Sequence, residues 1–300
     1  MHPASKPVID LLLNEPLAPH TSWRIGGPAK QYFRPRDNAA LQLFLQNLPI
    51  EEPLFWLGLG SNVLIRDGGF DGTVIHTLKM QAQIEIINQD PQTGLVIRVD
   101  AGVPCAKIAK LACKQFVVGA EFFAGIPGTI GGALAMNAGA FGSETWQHVV
   151  AVEVINRRGE ITTRTPQEYQ ISYRSVLGPE QEWFLAAQLR FMPGDQEQAS
   201  LRIKELLQRR SATQPIGLPS CGSVFRNPDG KYAAELIEAS KLKGRRIGDA
   251  EVSTKHANFI INLGKASARD VEQLIREVQQ IVWVDHAVRL QPEVKFVGIE

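Results

Sequence analysis

Cysteine is scarce in this chain of 300 residues. Cys105, Cys113 and Cys221 are the three present, an odd number with no CxxC spacing. That argues against a disulfide framework or a cysteine zinc site and leaves reduced thiols as the expectation. The six histidines are scattered without HExxH spacing, so no metal centre is expected. No apolar run approaches the roughly 18 residues needed to span a bilayer as a helix. The stretch Met1–Asn14 holds Pro3, Pro7 and only a short apolar run, Val8–Leu13. It lacks the basic region and small-residue cleavage site of a secretory signal, so a cytoplasmic location is expected. An excess of one charge is missing as well: 32 Lys and Arg face 31 Asp and Glu, for a net +1. Dedicated nucleic-acid binders carry a basic excess, so neither nucleic acid nor a membrane is an expected partner. Neutrality leaves room for a local anion site.

What is present is an ordinary soluble balance, 44% hydrophobic and 21% charged, in a chain long enough for two domains. The pattern predicts mixed helix and strand. Asp37 is placed to cap a helix over Ala39–Leu48 that stops at Pro49. Phe55-Trp56-Leu57 reads as a buried strand running into Gly58. Further strands are expected at Thr73–His76, Ala82–Ile87, Leu95–Asp100, Val149–Ile155 and Phe184–Phe191. Pro104 opens a helix over Ala106–Gln115. The cluster Met192-Pro193-Gly194-Asp195 marks a boundary near residue 195. Beyond it lie an amphipathic helix through Leu201, Leu206 and Leu207, a helix at Tyr232–Ala239 and a strand at Asn258–Asn262. A last helix, Ser267–Val284, opens with a capping box that uses Asp270.

Two glycine-rich segments carry the functional signal. Gly58-Leu59-Gly60-Ser61-Asn62 follows a predicted strand and continues through Asp67-Gly68-Gly69 to Gly72. Glycines let backbone N–H groups converge on phosphate oxygens, and Ser61 and Asn62 add side-chain donors. The spacing matches neither the dinucleotide GxGxxG nor a Walker A loop. On residues alone, a glycine-rich hairpin without a ligand accounts for it equally well. The second segment runs from Gly125 through Pro127, Gly128, Thr129, Gly131, Gly132 and Asn137 to Gly139 and Gly142. Its small, uncharged residues suit a flat ring lying on the backbone, and close helix packing is the competing reading. Together the two suit a long cofactor with a pyrophosphate and a planar ring.

These segments, with Thr21-Ser22-Trp23-Arg24-Ile25-Gly26-Gly27, resemble the UDP-N-acetylenolpyruvoylglucosamine reductases of peptidoglycan synthesis. Ile171-Ser172-Tyr173-Arg174-Ser175, Cys221-Gly222-Ser223-Val224-Phe225-Arg226-Asn227, Ser253-Thr254-Lys255-His256-Ala257-Asn258 and Gln291-Pro292-Glu293 extend the resemblance in the same order. It implies an α+β fold: an FAD-binding domain of the PCMH or vanillyl-alcohol-oxidase type over 1–195, then a smaller α/β substrate-binding domain over 196–300. Ser61-Asn62 stand where some relatives of that fold attach flavin through histidine, so non-covalent FAD is expected. The short interval between Arg174 and Ser223 resembles the form of the family without the tyrosine-bearing insertion.

The implied activity is an NADPH-dependent reduction of an enolpyruvyl ether on a UDP-sugar, with NADPH as co-substrate and a monomer expected. The resemblance assigns catalysis to Arg174, Ser223 and Glu293. Gly58, Gly60, Ser61, Asn62, Gly125, Pro127, Gly128, Thr129, Gly132, Asn137 and Gly139 are the expected cofactor contacts. Tyr173, Arg226 and Asn227 are the expected substrate contacts, with Arg209, Arg210, Lys255 and His256 as further candidates for a diphosphate. Chemically, a guanidinium holds a carboxylate with paired bonds, and a partly buried glutamate can donate a proton. Locally, Arg174 also reads as a turn arginine, Glu293 as a solvated carboxylate and Ser223 as a turn serine. No GxSxG elbow surrounds the serine. A lysine expected just before Gln214-Pro215 is replaced by Ala212-Thr213. Two other functions stay open on the sequence: a different flavoenzyme on the same fold, and a nucleotide-binding protein without catalysis.

Overall fold

A computed structural model describes residues 11–78 and 80–300. Pro3, Pro7 and the first part of the run Val8–Leu13 lie outside the described residues. Where local chemistry is strong, the predicted elements form. Asp37 Oδ1 accepts from the backbone N–H of Ala40 at 2.7 Å and starts the helix Asn38–Asn47. Leu48, the residue before Pro49, turns to an extended conformation and ends it. Pro104 sits one position earlier than expected, as the N-cap of the helix Cys105–Lys114.

Two sheets build the first two-thirds of the molecule. In the first, Leu11–Pro16, Pro28–Phe33, Phe70–His76 and Leu54–Leu57 lie side by side in that order. The last three are parallel to one another, so their carboxyl ends share one edge. The second sheet is antiparallel, with Ile161–Arg164, Val149–Asn156, Glu182–Pro193, Gly94–Asp100 and Ile84–Asp90 as successive neighbours. The predicted strand at 82–87 begins two residues later, at Ile84. It is an edge strand, with Ile86 and Ile87 exposed. Leu95, Ile97, Val99, Leu189 and Phe191 pack inward against the helices Cys105–Lys114 and Ile130–Met136.

The helix Gln196–Thr213 is capped by Asp195, whose carboxylate accepts from Glu197 and Gln198 N–H. Its apolar face is narrower than predicted. Ala199 and Leu206 are buried, whereas Leu201 and Leu207 are 55% and 43% exposed. Ile203 rests on the core of the second sheet.

The remainder forms its own core. The helix Ala268–His286 covers a small antiparallel sheet of Arg246–Ile247, Ala250–Val252 and Ile260–Asn262. That core also takes in Trp23, Ile25 and Leu64 from the first sheet's loops. The chain then returns: Lys295–Val297 pairs in parallel with Val63–Ile65, directly after the first glycine loop. Asp67 fastens the same junction. Its carboxylate accepts from the N–H groups of Ala268 (2.9 Å) and Arg269 (3.0 Å), beside the capping box of Ser267 and Asp270. The second half of the first glycine segment is therefore a docking element. A side chain at Gly68 would lie 2.7 Å from the carbonyl oxygen of Ile299, so only glycine fits there. Among the described residues, no helix is long and apolar enough to cross a membrane.

Candidate functional site

The strand Leu54–Leu57 ends at Gly58, and the loop Gly58–Asn62 turns beneath the start of the helix Ile130–Met136. The two glycine segments meet face to face: a Cβ at Gly58 would lie 2.6 Å from Thr129 Oγ1, and one at Gly128 3.5 Å from Ser61 Oγ. Gly60 has φ +69°, and a side chain there would run into the carbonyl of His20. The loop conformation thus requires glycine at that position.

A cavity of about 650 Å³ runs between the loops and on to the carboxy-terminal third. Gly58, Gly60, Ser61, Asn62, Gly125, Pro127, Gly128, Thr129, Gly132 and Gly139 all line it, as do Arg174, Ser223 and Glu293. Residues far apart in sequence are thereby brought to one wall. Thr129 is 1% exposed and its hydroxyl has no hydrogen-bond partner, and Trp56 Nε1 is buried without one too. Buried polar groups are rarely left unpaired, so both fit a ligand that supplies acceptors. An extended dinucleotide along the glycine backbones meets that need.

Several expected contacts stand elsewhere. Asn137 does not line the cavity. It caps the helix Ile130–Met136 in a left-handed conformation, and its amide bonds Glu144, Ser172 and Trp146. Tyr173, Arg226 and Asn227 are also off the wall. Tyr173 presents its ring to the Arg174 guanidinium at 5.2 Å. Arg226 Nη2 donates to the carbonyl of Arg174 at 3.2 Å, and Asn227 Oδ1 accepts from Ala233 N–H. Asn62 lines the cavity, but its side-chain N–H group donates to the carbonyl of Glu293 (3.1 Å) and to Met136 Sδ.

Arg174 sits at φ +54° in the two-residue turn between Gln170–Ser172 and Ser175–Leu177. Its Nη groups donate to the carbonyls of Asn137 (3.3 Å) and Gly139 (2.9 Å). Its Nε lies 3.0 Å from Glu293 Oε1, off the N–H direction, as an ion pair. Glu293 is mostly buried, and that desolvation pushes its carboxyl above the usual carboxylate range, against the pull of Arg174 and Arg226. Burial outweighs the two cations, and the neutral form is favoured relative to a carboxyl in water.

Ser223 and Glu293 are held in one register. Glu293 N–H donates to the carbonyl of Val224 at 2.7 Å, and Val224 N–H donates to the carbonyl of Asn258 at 2.9 Å. The Asn258 side chain then grips Phe225 twice, accepting from its N–H (2.9 Å) and donating to its carbonyl (2.8 Å). The sequence places Asn258 in the motif Ser253–Asn258 and at the start of a predicted strand, which begins at Ile260 in the structure. Its position in a dense polar motif was the one available signal. Cys221 lines the same wall, and burial, with Glu293 nearby, raises its thiol far above the usual range. A thiol so disfavoured as thiolate is no nucleophile.

Trp56 and Lys295 line the cavity from outside the glycine segments, and Met136 does so from within the second of them. Arg210, one of four diphosphate candidates, also lines it, with Gln214 Oε1 as a hydrogen-bond partner at 3.1 Å. Burial lowers its pKa, and no carboxylate offsets that effect. Of the other three, Arg209, Lys255 and His256 lie off the wall, and Lys255 Nζ donates to the carbonyl of Ser211.

Comparison with known proteins identifies the family. Residues 214–297 match the C-terminal domain of UDP-N-acetylenolpyruvoylglucosamine reductase, and residues 29–164 match an FAD binding domain. The chain is 52% identical over 303 residues to UDP-N-acetylenolpyruvoylglucosamine reductase of Coxiella burnetii (strain RSA 493 / Nine Mile phase I), covering 96% of each chain. It is 55% identical over 287 residues to the enzyme of that name from Methylococcus capsulatus, covering 96% of this chain and 93% of the relative. The crystal structure of UDP-N-acetylenolpyruvylglucosamine reductase from Thermus caldophilus superimposes with a TM-score of 0.80 at 31% identity, over 97% of this chain and 99% of that one.

Proposed function

Since the chain belongs to the UDP-N-acetylenolpyruvoylglucosamine reductase family, we propose that its cavity reduces the enolpyruvyl ether of that UDP-sugar to the lactyl ether of UDP-N-acetylmuramate, with NADPH as co-substrate. The protein is an FAD-dependent oxidoreductase of peptidoglycan precursor synthesis. When bound, FAD supplies the hydride relay between NADPH and the enolpyruvyl double bond. The residues of the chain provide the rest.

The observation that carries this reading is the convergence of Arg174, Ser223 and Glu293 on one cavity with both glycine loops. Hydride addition at the vinyl CH₂ carbon leaves negative charge on the α carbon and its carboxylate. Arg174, its guanidinium fixed by two backbone carbonyls, stabilises that charge. Glu293, whose burial favours the neutral carboxyl, donates to the developing enolate oxygen. Ser223 delivers the proton to the α carbon. Thr129 and the backbone of the glycine loops hold the cofactor. Arg210 takes a phosphate of the substrate and stands in for the absent lysine before Gln214-Pro215. Arg226 and Asn258 position the catalytic groups without touching the reacting atoms.

The working division is a cofactor unit over 1–195 and a substrate unit over 196–300, with the helix Gln196–Thr213 as the connecting element. A cytoplasmic monomer belongs to the same proposal. The assignment of the substrate rests on a direct assay: oxidation of NADPH by the purified flavoprotein, dependent on the enolpyruvyl UDP-sugar. NADPH oxidation that ignores this substrate and follows another would refute it.

A further inference from the structure

A second cavity, also of about 650 Å³, adjoins the first glycine loop at the carboxyl ends of the parallel strands Pro28–Phe33 and Phe70–His76. It shares Ser22 and Leu59 with the reaction cavity and none of the residues assigned to chemistry. Carboxyl ends of parallel strands are the usual ligand edge of such sheets. Among the described residues, its wall carries Arg34, Arg36, His20 and His76 and no aspartate or glutamate. Leu59 and Met80 contribute apolar surface.

The acidic partners of Arg36 and His20 lie outside the wall. Arg36 Nε is 3.2 Å from Asp37, and His20 Nε2 is 2.8 Å from Glu15. Hydrogen bonds link the two histidines through Tyr32. His76 Nε2 contacts the carbonyl of Gly58 at 2.8 Å, and a carbonyl only accepts, so that nitrogen carries the proton. His76 Nδ1 then accepts from the Tyr32 hydroxyl, whose oxygen accepts from His20 Nδ1 at 3.2 Å. His76 is held down to about 4 by burial first, and by His20 and Arg34 besides.

A cationic wall beside apolar surface fits a phosphate attached to a flat apolar body. We propose that this cavity is a second nucleotide site, taking a nucleoside monophosphate group with its phosphate on Arg34 and Arg36 and its base against Leu59 and Met80. It adjoins the reaction cavity at Ser22 and Leu59. Through His76 and the carbonyl of Gly58, occupancy bears on the loop that holds the cofactor.

The test is calorimetric titration of AMP, and in parallel UMP, into the FAD-loaded oxidised protein with the reaction cavity saturated by enolpyruvyl substrate and no NADPH present. One equivalent of at least one nucleotide is expected to bind. Arg36→Ala should weaken that binding at least tenfold while FAD content and turnover without added nucleotide stay unchanged. Three results overturn the proposal: no binding of either nucleotide once the reaction cavity is filled, binding that is identical in Arg36→Ala, or binding only to apoprotein with release on adding FAD. The last would assign the cavity to the cofactor itself.

Discussion

At the scale of single residues, the account turns on how burial and pairing set proton positions. Glu293 is raised by desolvation in the folded chain. A carboxyl raised on folding penalises the native state as pH climbs from its unfolded pKa to its native one, and by a constant amount above that. Its donor form is lost over the upper part of the same range. The rate of flavin reoxidation by substrate should therefore fall as pH rises through the native Glu293 pKa. In Glu293→Gln that limb should vanish, because the amide keeps a donor without titrating. Glu293→Ala should be slower than Glu293→Gln by roughly 10-fold, the worth of about one hydrogen bond. Single-turnover rates across pH check both. An unchanged pH profile in Glu293→Gln would remove the hydrogen-bond-donor role of the neutral carboxyl.

At the scale of elements, the most consequential devices are clamps between distant segments. Asn258 ties the segment before the strand Ile260–Asn262 to the Ser223 turn through a two-way bond with Phe225, beside the Val224 carbonyl that accepts from Glu293 N–H. In Asn258→Ala, both buried groups of Phe225 lose their partner, at about 1–3 kcal/mol each. Unfolding should shift accordingly, and reoxidation by substrate should slow more than reduction by NADPH. Equal slowing of both steps would mark Asn258 as structural only. Asp67 offers a parallel case, capping the helix Ala268–His286 from within the first glycine segment. Asp67→Ala should cost about 1–2 kcal/mol in chemical denaturation while leaving FAD bound.

These clamps also explain what the sequence let one read. Helices with strong local signals, Asp37 before Asn38–Asn47 and Ser267 with Asp270 before Ala268–His286, were legible because a cap acts over three residues. The motifs that converge on the cavity were legible as a set. Their division of labour was not. Asp67 and Gly68 look like further phosphate-loop residues until the returning chain is seen to dock there. Asn137 looks like a cofactor contact until its amide is found bonding Glu144, Ser172 and Trp146. Leu201 and Leu207 have helical spacing, yet their face meets solvent because the helix touches the core along a narrow line. Each difference comes from long-range packing, which no local pattern encodes.

At the scale of the whole molecule, the cofactor cavity lies where three bodies of structure meet: the parallel sheet, the antiparallel sheet with its helices, and the carboxy-terminal core. Neutral overall charge, which makes a nucleic-acid surface unexpected, is compatible with anions held by backbone groups and a few placed cations such as Arg174 and Arg210. A ligand at such a junction ties folding to occupancy. FAD at 100 times its Kd should raise stability by about 2.7 kcal/mol. Thr129→Val, which removes the unpartnered hydroxyl, should lower FAD retention with little change in the apoprotein. Thermal unfolding with and without added FAD checks both.

The central claim is that Ser223 delivers the proton that completes substrate reduction. Anaerobic stopped-flow on Ser223→Ala, following flavin absorbance through each half-reaction, tests it most directly. Reduction by NADPH should proceed at the wild-type rate, and reoxidation by the enolpyruvyl UDP-sugar should be slower by about 10²–10⁴-fold. Wild-type reoxidation in that variant would contradict the assignment.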